Sequence, residues 1–340
     1  MLHRDSSSFA APALPEEISL VGVSAGLRPG QFEVVVTLPT FRRPDQVVAT
    51  LDSLAAQETR RAFAVIVMEN DDEGRQGADA ALRRLSAGDL PGIVIVAHER
   101  GNCSAYNAGW LTALKTFPNF RHLLVIDDDE LADPHWLDAM IEASDRFDAD
   151  IVGGPQVPQF DAGGDDRFVS HPVFAAPYMA SGLVPALYSS GNLAIRRRVL
   201  ETMGPPFLDL KFNFMGGGDS DFLSRSAQRG FRLAWSAEGR VVETVPARRL
   251  EAGWIRARSL RNGVISTLVE QKKRAAEPAG RLRVFAKSLA LLAASPFRAL
   301  SRLIGGSQPT SAIYPVHVAL GRVLAEFGYA NEQYRNPEKN

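Results

Sequence analysis

The sequence predicts an α/β protein built on a doubly wound, mostly parallel sheet that is flanked by helices. Short apolar runs alternate with amphipathic stretches from residue 33 onward, and the runs are too continuously apolar for strands with a solvent-facing side. Such runs suit the buried strands of a parallel sheet, with the intervening stretches as crossover helices. Four strand–helix units between residues 33 and 147 therefore predict an open, doubly wound sheet.

The positions of the strands and helices follow from the same alternation. The apolar runs predict strands over residues 33–38, 62–68, 92–97, 122–127 and 149–154, and the amphipathic stretches predict helices over residues 44–57, 77–85, 104–117 and 134–147. Residues 155–188 combine Pro, Gly and aromatic residues without a period, which predicts a long loop. Further strands are expected at 189–197 and 231–236, and further helices at 216–230, 251–270, 281–304 and 316–327.

Composition excludes several classes of protein. The chain has 340 residues, of which 45% are hydrophobic and 23% charged, as in a globular protein with a large core. A net charge of −1 gives no drive toward nucleic acid, and the single cysteine, Cys103, excludes an intramolecular disulfide and any paired-cysteine zinc or redox site. Because the N-terminus lacks the basic-then-apolar pattern of a signal peptide, a cytoplasmic location is expected.

The C-terminal third is basic. Residues 240–305 hold 14 Lys or Arg against 4 Asp or Glu. Within it, residues 281–306 are apolar but interrupted by Lys287, Pro296 and Arg298, so we expect the segment to be too short and too charged to span a bilayer. Two alternatives are open: the segment lies on the anionic inner face of the cell membrane, or it packs as a helix against the rest of the protein.

Three consecutive aspartates follow the fourth predicted strand. Asp127, Asp128 and Asp129 stand beyond the carboxyl end of a strand, where an open α/β sheet binds ligands. Like charges this close repel one another unless a cation lies among them, and a divalent metal with oxygen ligands supplies such a charge. Since strand side chains alternate, Asp127 and Asp129 are expected to share a face while Asp128 points away. We therefore expect Asp129 to bind the metal and Asp127 to contact the metal or the donor. The alternative is a solvated turn before the helix that Asp133 caps.

An ordered set of motifs resembles the family 2 glycosyltransferases, which are inverting enzymes with the GT-A fold. TLPTFRRPDQVVATLDSL (37–54) is similar to the family's opening segment, in which a Pro-Thr-x-x-Arg turn leads into the first helix. VIVMENDD (65–72) is similar to its second strand and ERGNCSAYNAG (99–109) to its Gly- and Asn-containing segment. IDDDE (126–130) is similar to its DxD motif, and GGGDSDF (216–222) to the segment that carries the catalytic base. The resemblance is strongest to members that build bacterial polysaccharides.

The resemblance implies an activity and a division of the chain. The activity is inverting transfer of a sugar from a nucleoside-diphosphate sugar, which we expect to be a UDP-sugar, to a hydroxyl of a saccharide or lipid-linked acceptor, with Mn²⁺ or Mg²⁺ on the diphosphate. The resemblance marks out a GT-A catalytic domain (31–250). Residues 1–30, rich in Ser, Ala, Pro and Gly without a sustained period, are expected to form an N-terminal arm, and residues 251–340 a helical basic C-terminal extension. The catalytic domain would comprise a nucleotide-binding half (31–154) and an acceptor half (155–250).

The residues expected to bind the nucleotide sugar lie just beyond a predicted strand or early in the following helix. They are Pro39, Thr40, Arg42, Glu69, Asn70, Asp71, Arg100, Asn107, Asp127 and Asp128. Arg42 can pair with a phosphate or stack on a base; the alternative is an arginine in the first turn of a helix. Glu69 and the two residues after it can accept hydrogen bonds from a base or ribose; the alternative is a polar turn.

Asp219 is the candidate catalytic base. Inverting transfer needs one base to take the acceptor hydroxyl proton, and a carboxylate at a glycine-loosened helix start can approach a substrate closely. The resemblance favours Asp219 as base and Asp221 as structural. The alternative is that both are acids stabilised by the dipole of a helix N-terminus. Gly218 stands where the family often has Glu, and Tyr106 where it often has Arg.

A pair of arginines is expected near the leaving diphosphate. Arg258 and Arg261 are three residues apart and share one helix face. They can neutralise the charge that develops on the leaving group; the alternative is a solvated basic face. Residues 189–192 end the predicted loop and are expected to line the acceptor site.

Two other functions compete with sugar transfer. A sugar-phosphate nucleotidyltransferase would share the α/β half and the acidic metal ligands, but it usually begins with a Gly-rich pyrophosphate loop, and LPTFRRPD (38–45) has no glycine. A noncatalytic carbohydrate-binding protein could retain the fold. The acids of both the DxD-like and the GGGDSD motifs are present, which argues against it.

Overall fold

The computed structural model describes residue 9 and residues 11–161 and 166–329. Within these residues the strands, numbered in chain order, are β1 (Ile18–Val23), β2 (Val34–Thr40), β3 (Phe63–Glu69), β4 (Gly92–Ala97), β5 (His122–Ile126), β6 (Glu130–Ala132), β7 (Ile151–Gly153), β8 (Gln156–Phe160), β9 (Gly182–Leu183), β10 (Asn192–Arg196), β11 (Leu233–Trp235) and β12 (Val241–Val245). The α-helices are α1 (Pro44–Ala55), α2 (Gln76–Leu85), α3 (Asn102–Thr116), α4 (Trp136–Arg146), α5 (Arg197–Met203), α6 (Gly218–Gln228), α7 (Ala252–Lys273), α8 (Gly280–Ile304) and α9 (Pro309–Glu326).

A nine-stranded sheet forms the centre of the molecule, in the order β1-β4-β3-β2-β5-β10-β7-β11-β9. Strands β4, β3, β2 and β5 are parallel neighbours, and β7 and β11 run in the same direction. Strands β1, β10 and β9 run the opposite way. The predicted α/β fold, with a large and mostly parallel sheet flanked by helices, is therefore confirmed.

The central strands send alternate side chains into two apolar cores, one on each face of the sheet. Ile66 and Met68 of β3 face the layer that contains α3, where Trp110 is buried. Val65 and Val67 of the same strand face α1, α2 and α4. Burial of each large aliphatic side chain contributes about 1.5–3 kcal/mol. Because both faces are covered, these strands are apolar at nearly every position, and this is the feature that made them recognisable in the sequence.

A second sheet of three strands, in the order β6-β12-β8, supports the turn formed by the three aspartates, residues 127–129, which is called the acidic turn below. Strand β12 pairs antiparallel with β6 and parallel with β8. Strand β6 begins at Glu130, directly after the three aspartates, and the Thr244 amide of β12 donates to the Asp129 carbonyl at 2.9 Å. The backbone of the turn is thus fixed by a sheet that the sequence did not reveal.

The C-terminal helices are α7, α8 and α9. Helix α7 joins them to the rest of the structure by packing against α6. Helix α9 lies across α7, and α8 packs against α9 and α7. A Cβ atom at Gly263 of α7 would collide with the Val318 carbonyl, and one at Gly321 of α9 would collide with the Leu260 carbonyl. The glycines therefore allow the two helix backbones to touch, which fixes α9 on α7.

Among the described residues one helix, α8, is long and apolar enough to cross a membrane by length and composition. Its most apolar window of 18 residues has a mean hydropathy of 1.2, and 17% of that window is buried. By this criterion, the expectation that residues 281–306 are too short and too charged to span a bilayer is wrong.

Three predictions of local structure need correction. Residues 1–30 are not an arm throughout, because residues 18–23 form strand β1, which pairs with β4 at the sheet edge. The predicted loop 155–188 contains β8 and β9, whose pairing with β12 and β11 is long-range. Helix α9 begins at Pro309 rather than near residue 316. The parts of the predicted arm and extension at residues 1–8, 10 and 330–340 lie outside the described residues, and the domain boundaries remain predictions.

Candidate active site

A cleft of about 1040 Å³ runs along the carboxyl ends of the central strands and continues toward the C-terminal helices. The turns after β2, β3 and β5 line it, together with residues of α6 and α7. The predicted site residues on its wall are Pro39, Thr40, Asn70, Arg100, Asp127, Asp128, Asp129, Asp219, Arg258 and Arg261. The remaining four, Arg42, Glu69, Asp71 and Asn107, do not line it. Most of the site residues predicted from separate sequence motifs therefore line the same cleft.

The three aspartates form a turn rather than a strand end. Strand β5 ends at Ile126, so the expected alternation of side chains does not apply. Asp128 and Asp129 share a partner, because Arg43 Nη1 lies 2.9 Å from Asp128 Oδ1 and 3.0 Å from Asp129 Oδ2. Asp128 also accepts a hydrogen bond from Thr40 Oγ1 at 2.9 Å. The prediction that Asp128 points away from Asp129 is wrong.

Asp127 has a different environment from its neighbours. Its carboxylate accepts a hydrogen bond from the Tyr106 hydroxyl, and its amide donates to Glu130 Oε2 at 2.9 Å. Burial and then repulsion from Asp129 raise the pKa of Asp127 to about 7, while the Tyr106 hydrogen bond opposes the rise. Burial also raises the pKa of Asp128 to about 6, although Arg43 counteracts it. The turn is a place where negative charge is unfavourable without further cations.

Two arginines that the sequence analysis missed supply part of the positive charge. Besides Arg43, Arg249 places Nη2 3.7 Å from Asp129 Oδ2 and Nη1 2.7 Å from Glu243 Oε1, and both arginines line the cleft. Arg42, predicted to contact the donor, instead pairs with Asp71 at 2.8 Å. The Pro-Thr-x-x-Arg spacing from Pro39 in fact falls on Arg43, so this residue could have been found. Arg249 follows β12, and no local motif indicates its position.

Several predicted donor contacts hold the loops of the cleft instead. The Glu69 carboxylate is fully buried and accepts from the amides of Asp71 and Ala78, each at 2.9 Å, at the start of α2. Asn107 Nδ2 donates to the Leu208 carbonyl at 2.9 Å, and Asn107 Oδ1 accepts from the Leu208 amide at 2.8 Å. These bonds position the loops, and neither side chain lines the cleft. The nucleotide contacts of Glu69 and Asn107 stay predictions.

Asn70 and Arg100 stand at the cleft next to these supports. Asn70 Nδ2 donates to the carbonyls of Ala97 and Glu99, and Asn70 Oδ1 accepts from the Gly101 amide at 2.7 Å. Arg100 places its guanidinium 4.9 Å from the centroid of the Phe41 ring. Asn70 therefore fixes the loop that carries Arg100 at the wall of the cleft.

Asp219 also lines the cleft, from the first turn of α6. The turn before it uses two glycines in left-handed conformations, with φ of 78° at Gly216 and 95° at Gly217. The Ser220 amide donates to Asp219 Oδ1 at 2.7 Å. Burial raises the pKa of Asp219 above its ordinary value, and the amides of Ser220 and Ser190 and the charge of Arg258 oppose the rise. A carboxylate with a raised pKa at the wall of a cleft has the properties of a general base.

Asp221, two residues later, has a structural environment. It is 1% exposed and accepts from Arg225 Nε at 2.7 Å and from Lys272 Nζ at 2.9 Å. Lys272 belongs to α7, so this aspartate ties α6 to the C-terminal helices. The two acids of the GGGDSDF motif therefore face different environments.

The glycine that replaces a family glutamate has a packing reason. A Cβ atom at Gly218 would collide with Cys103 Sγ, which comes from the first turn of α3. Burial raises the pKa of the Cys103 thiol, as expected for a packed side chain rather than a nucleophile. The close approach of α3 and α6 leaves no space for a second carboxylate at position 218.

The two predicted arginines of α7 differ in depth. Arg258 places its guanidinium 6.0 Å from the Trp254 ring centroid, and its charge acts on both Asp219 and Glu243. Arg261 is only 3% exposed and lines a deeper part of the cleft. Of the two arginines, Arg258 is therefore the one whose charge acts on the carboxylates of both Asp219 and Glu243.

A mostly parallel sheet whose acidic turn faces a helix-borne aspartate across one cleft is typical of glycosyltransferases with the GT-A fold. The sequence profile described as Glycosyl transferase family 2 matches residues 35–204. The chain belongs to this family, and it is a glycosyltransferase. The nucleotidyltransferase and the noncatalytic carbohydrate-binding protein are thereby set aside.

Individual relatives agree with this assignment. Succinoglycan biosynthesis protein ExoM of Rhizobium meliloti (strain 1021) is 31% identical over 238 residues, which cover 66% of this chain and 71% of ExoM. The mannosyltransferase PcManGT from Pyrobaculum calidifontis, solved in complex with GDP-Man and Mn²⁺, has a TM-score of 0.58 at 18% identity and covers 86% of this chain and 88% of its own. S. aureus TarS 1–349 in complex with UDP has a TM-score of 0.48 at 13% identity, over 85% and 90% of the two chains. The likeness to PcManGT confirms the predicted fold.

Proposed function

We propose that the protein transfers a sugar from a nucleoside-diphosphate sugar to a hydroxyl of a saccharide or lipid-linked acceptor during polysaccharide biosynthesis, with inversion at the anomeric carbon. One observation carries the proposal: Asp219 and the acidic turn 127–129 line the same cleft. Membership of family 2 and the similarity to ExoM, a succinoglycan biosynthesis protein, support it. PcManGT, which shares the fold, is complexed with GDP-Man. We propose a UDP-sugar as the donor of this chain.

The acidic turn fits a divalent cation, Mn²⁺ or Mg²⁺. Asp127 carries a raised pKa because it is buried beside Asp129, and a cation would relieve that repulsion. The described residues hold no group of three or more His, Cys, Asp or Glu side chains arranged for a metal. Such a group is not required, because these ions are often held by one or two carboxylates together with substrate phosphates and water. Asp129 and Asp127 would hold the ion, which supplies positive charge to the diphosphate.

The arginines at the cleft suit the phosphates of the donor. Arg43 and Arg249 lie at the acidic turn, and Arg258 approaches from α7. Guanidinium groups match phosphate oxygens in geometry and stay charged at all working pH values. As the bond between the anomeric carbon and the diphosphate oxygen breaks, these charges stabilise the negative leaving group.

Asp219 accepts the proton of the acceptor. The acceptor oxygen forms its bond to the anomeric carbon while the bond to the diphosphate breaks, and the hydroxyl proton passes to the Asp219 carboxylate. Attack from the side opposite the leaving group inverts the anomeric centre. Residues 185–190 lie next to Asp219 on the cleft wall, and Ser220 Oγ donates to the Tyr188 carbonyl at 3.3 Å. We assign the acceptor side of the cleft to this region.

A donor screen followed by product analysis tests the proposal. A ligand that binds the folded state raises apparent stability, so thermal shifts with UDP- and GDP-sugars, with and without Mn²⁺, should identify the donor; we expect a UDP-sugar. Turnover with a saccharide acceptor should release the nucleoside diphosphate and give a product of inverted anomeric configuration by NMR. A product with retained configuration, or consumption of pyrophosphate instead of diphosphate release, would overturn the proposal.

A further inference from the structure

Helix α8 carries an exposed apolar face along its whole length. The residues of this face are Leu282, Leu289, Phe297, Leu300 and Ile304, with the exposed Ala286 and Ala293 between them. At 3.6 residues per turn, their spacings of 7, 8, 3 and 4 residues place them on one side of the helix. Phe297 is 76% and Ile304 79% exposed. Single exposed apolar residues are ordinary on a protein surface, but a continuous stripe of this kind marks an interaction surface.

The opposite side of α8 is fixed to the protein. Val284, Ser288 and Ser295 are buried on that side. Lys287 Nζ pairs with Glu270 of α7 at 2.8 Å, and Arg302 Nη1 donates to the Ser311 carbonyl of α9 at 3.1 Å. The exposed stripe is therefore held in place rather than free to turn inward. Phe327, which is 77% exposed and contacts Phe285 at 6.5 Å between ring centroids, extends the apolar surface.

The charges on α8 have one sign. Between Gly280 and Ile304 the sequence has no Asp or Glu. Lys287 and Arg302 bond to α7 and α9 on the protein side of the helix, whereas its other basic residues, Arg281, Arg283 and Arg298, are exposed. A helix with an apolar face and basic flanks binds in the interface plane of a bilayer, where the apolar side chains enter the acyl boundary and the basic side chains meet anionic head groups. We propose that α8 docks the protein on an anionic membrane surface through this stripe.

Charge and packing disfavour the other arrangements of this face. A symmetric contact between two copies would bring the basic flanks of both α8 helices together without any acidic residue of α8 to balance them. A helix that crosses the bilayer would lose the Lys287–Glu270 pair and the buried contacts with α7 and α9, and it would place arginines in the hydrocarbon. Docking along the surface keeps these contacts and buries the stripe.

The position of α8 also links this surface to the cleft. Lys287 of α8 and Tyr314 of α9 both line the cleft, so the cleft reaches the docking helix. The docking surface is nevertheless independent of the proposed reaction, because it can be measured without donor or turnover.

Vesicle flotation of the full chain tests the proposal. We expect binding to vesicles of phosphatidylcholine mixed with phosphatidylglycerol, weaker binding to phosphatidylcholine alone, and loss of binding as NaCl is raised. The double variant Phe297→Ser/Ile304→Ser should weaken binding at least about tenfold, since each apolar side chain contributes more than 1 kcal/mol when buried. Arg281→Gln/Arg298→Gln should weaken it about 25-fold, from about fivefold per arginine.

A matched control distinguishes binding through the apolar stripe of α8 from non-specific binding of exposed apolar side chains. Met179 is 90% exposed and lies outside α8, so Met179→Ser should bind vesicles like the unaltered chain. All variants should keep their melting temperature, because the altered side chains are exposed. Absence of binding to anionic vesicles at low salt, or unchanged binding by Phe297→Ser/Ile304→Ser, would overturn the proposal. If the protein self-associates in sedimentation velocity and this variant abolishes the association, the face binds a second copy of the chain. If the protein stays in membranes after alkaline carbonate washing, α8 is a membrane-spanning helix.

Discussion

The acidic turn at residues 127–129 and the first turn of α6 both place carboxylates at the cleft. The two turns stabilise their carboxylates by different contacts. At the acidic turn, Asp128 and Asp129 share Arg43, whereas the Asp127 carboxylate accepts from the Tyr106 hydroxyl and the Asp127 amide donates to Glu130. At α6, Asp219 and Asp221 are two residues apart, and Arg225 and Lys272 bond to Asp221, whereas Asp219 accepts from the Ser220 amide. A crowded site is suited to hold a cation and a diphosphate, whereas a single carboxylate bonded to amides is suited to take a proton.

The largest expected effect separates the two turns by function. Asp219→Asn keeps the shape of the side chain but cannot accept the acceptor proton, so turnover should fall about 10³-fold. Donor binding at the acidic turn should stay unchanged, because Asp219 belongs to α6 and bonds to the Ser220 amide rather than to the three aspartates. Nucleoside diphosphate release and calorimetric donor binding measure the two quantities. Full turnover in this variant would move the base elsewhere.

The neighbouring acid of α6 should show the reverse behaviour. Asp221→Asn removes the charge that meets Arg225 and Lys272 in a buried site, and we expect the free energy of unfolding to fall by about 2–3 kcal/mol. Turnover per folded molecule should be retained. Chemical denaturation monitored by circular dichroism gives the stability. A loss of turnover without a loss of stability would mean that the two aspartates have been assigned the wrong roles.

Arg43 and Arg42 form a matched pair within the donor side. Arg43→Met leaves Asp128 and Asp129 without their shared partner, so we expect about 2 kcal/mol of destabilisation. Arg42→Met removes an ion pair whose arginine is half exposed, and its effect should stay below about 1 kcal/mol. Donor affinity should fall in the first variant only. Equal effects of the two substitutions would contradict the assignment of Arg43 to the acidic turn.

The smallest expected effect is a shift of the pH profile. Asp219 must be ionised to act as base, so turnover falls as pH drops through its pKa. The positive charge of Arg258 lowers that pKa, and Arg258→Met should therefore move the acidic limb to higher pH. Arg256→Met, an exposed position on the same helix, is the control and should leave the limb in place. If the acidic limb of the pH profile moved to lower pH, or did not move, the charge of Arg258 would not be acting on the pKa of Asp219.

The parts of the fold that could be predicted from sequence are those with local signals. Strands β2 to β5 are buried on both faces, so their apolar runs and the helices between them were visible. Strands β1, β8 and β9 were not predicted because they are partly exposed and are defined by long-range pairing. The three-stranded sheet that holds the acidic turn pairs β12 with two strands that are distant in the sequence, as in Val241 with Ala132 and Val241 with Gln156, and leaves no local pattern.

The candidate site divides in the same way. Asp127, Asp129 and Asp219 lie in motifs whose chemistry is readable from residue type, and the structure brings them to one cleft. Glu69 and Asn107 were assigned to the nucleotide because acids and amides after strands suit ligands as well as backbone amides, and only the contacts distinguish the two. Arg249 reaches Asp129 from the far end of the small sheet, which no spacing rule predicts.

The central claim is that the donor diphosphate lies between the acidic turn and Asp219. A crystal structure with UDP and Mn²⁺ tests it most directly, because anomalous scattering locates the manganese independently of the nucleotide. We expect a manganese peak at Asp129 or Asp127, with the diphosphate beside Arg43 and pointing into the cleft toward Asp219. A nucleotide bound elsewhere, with the acidic turn unchanged and no manganese there, would contradict the claim.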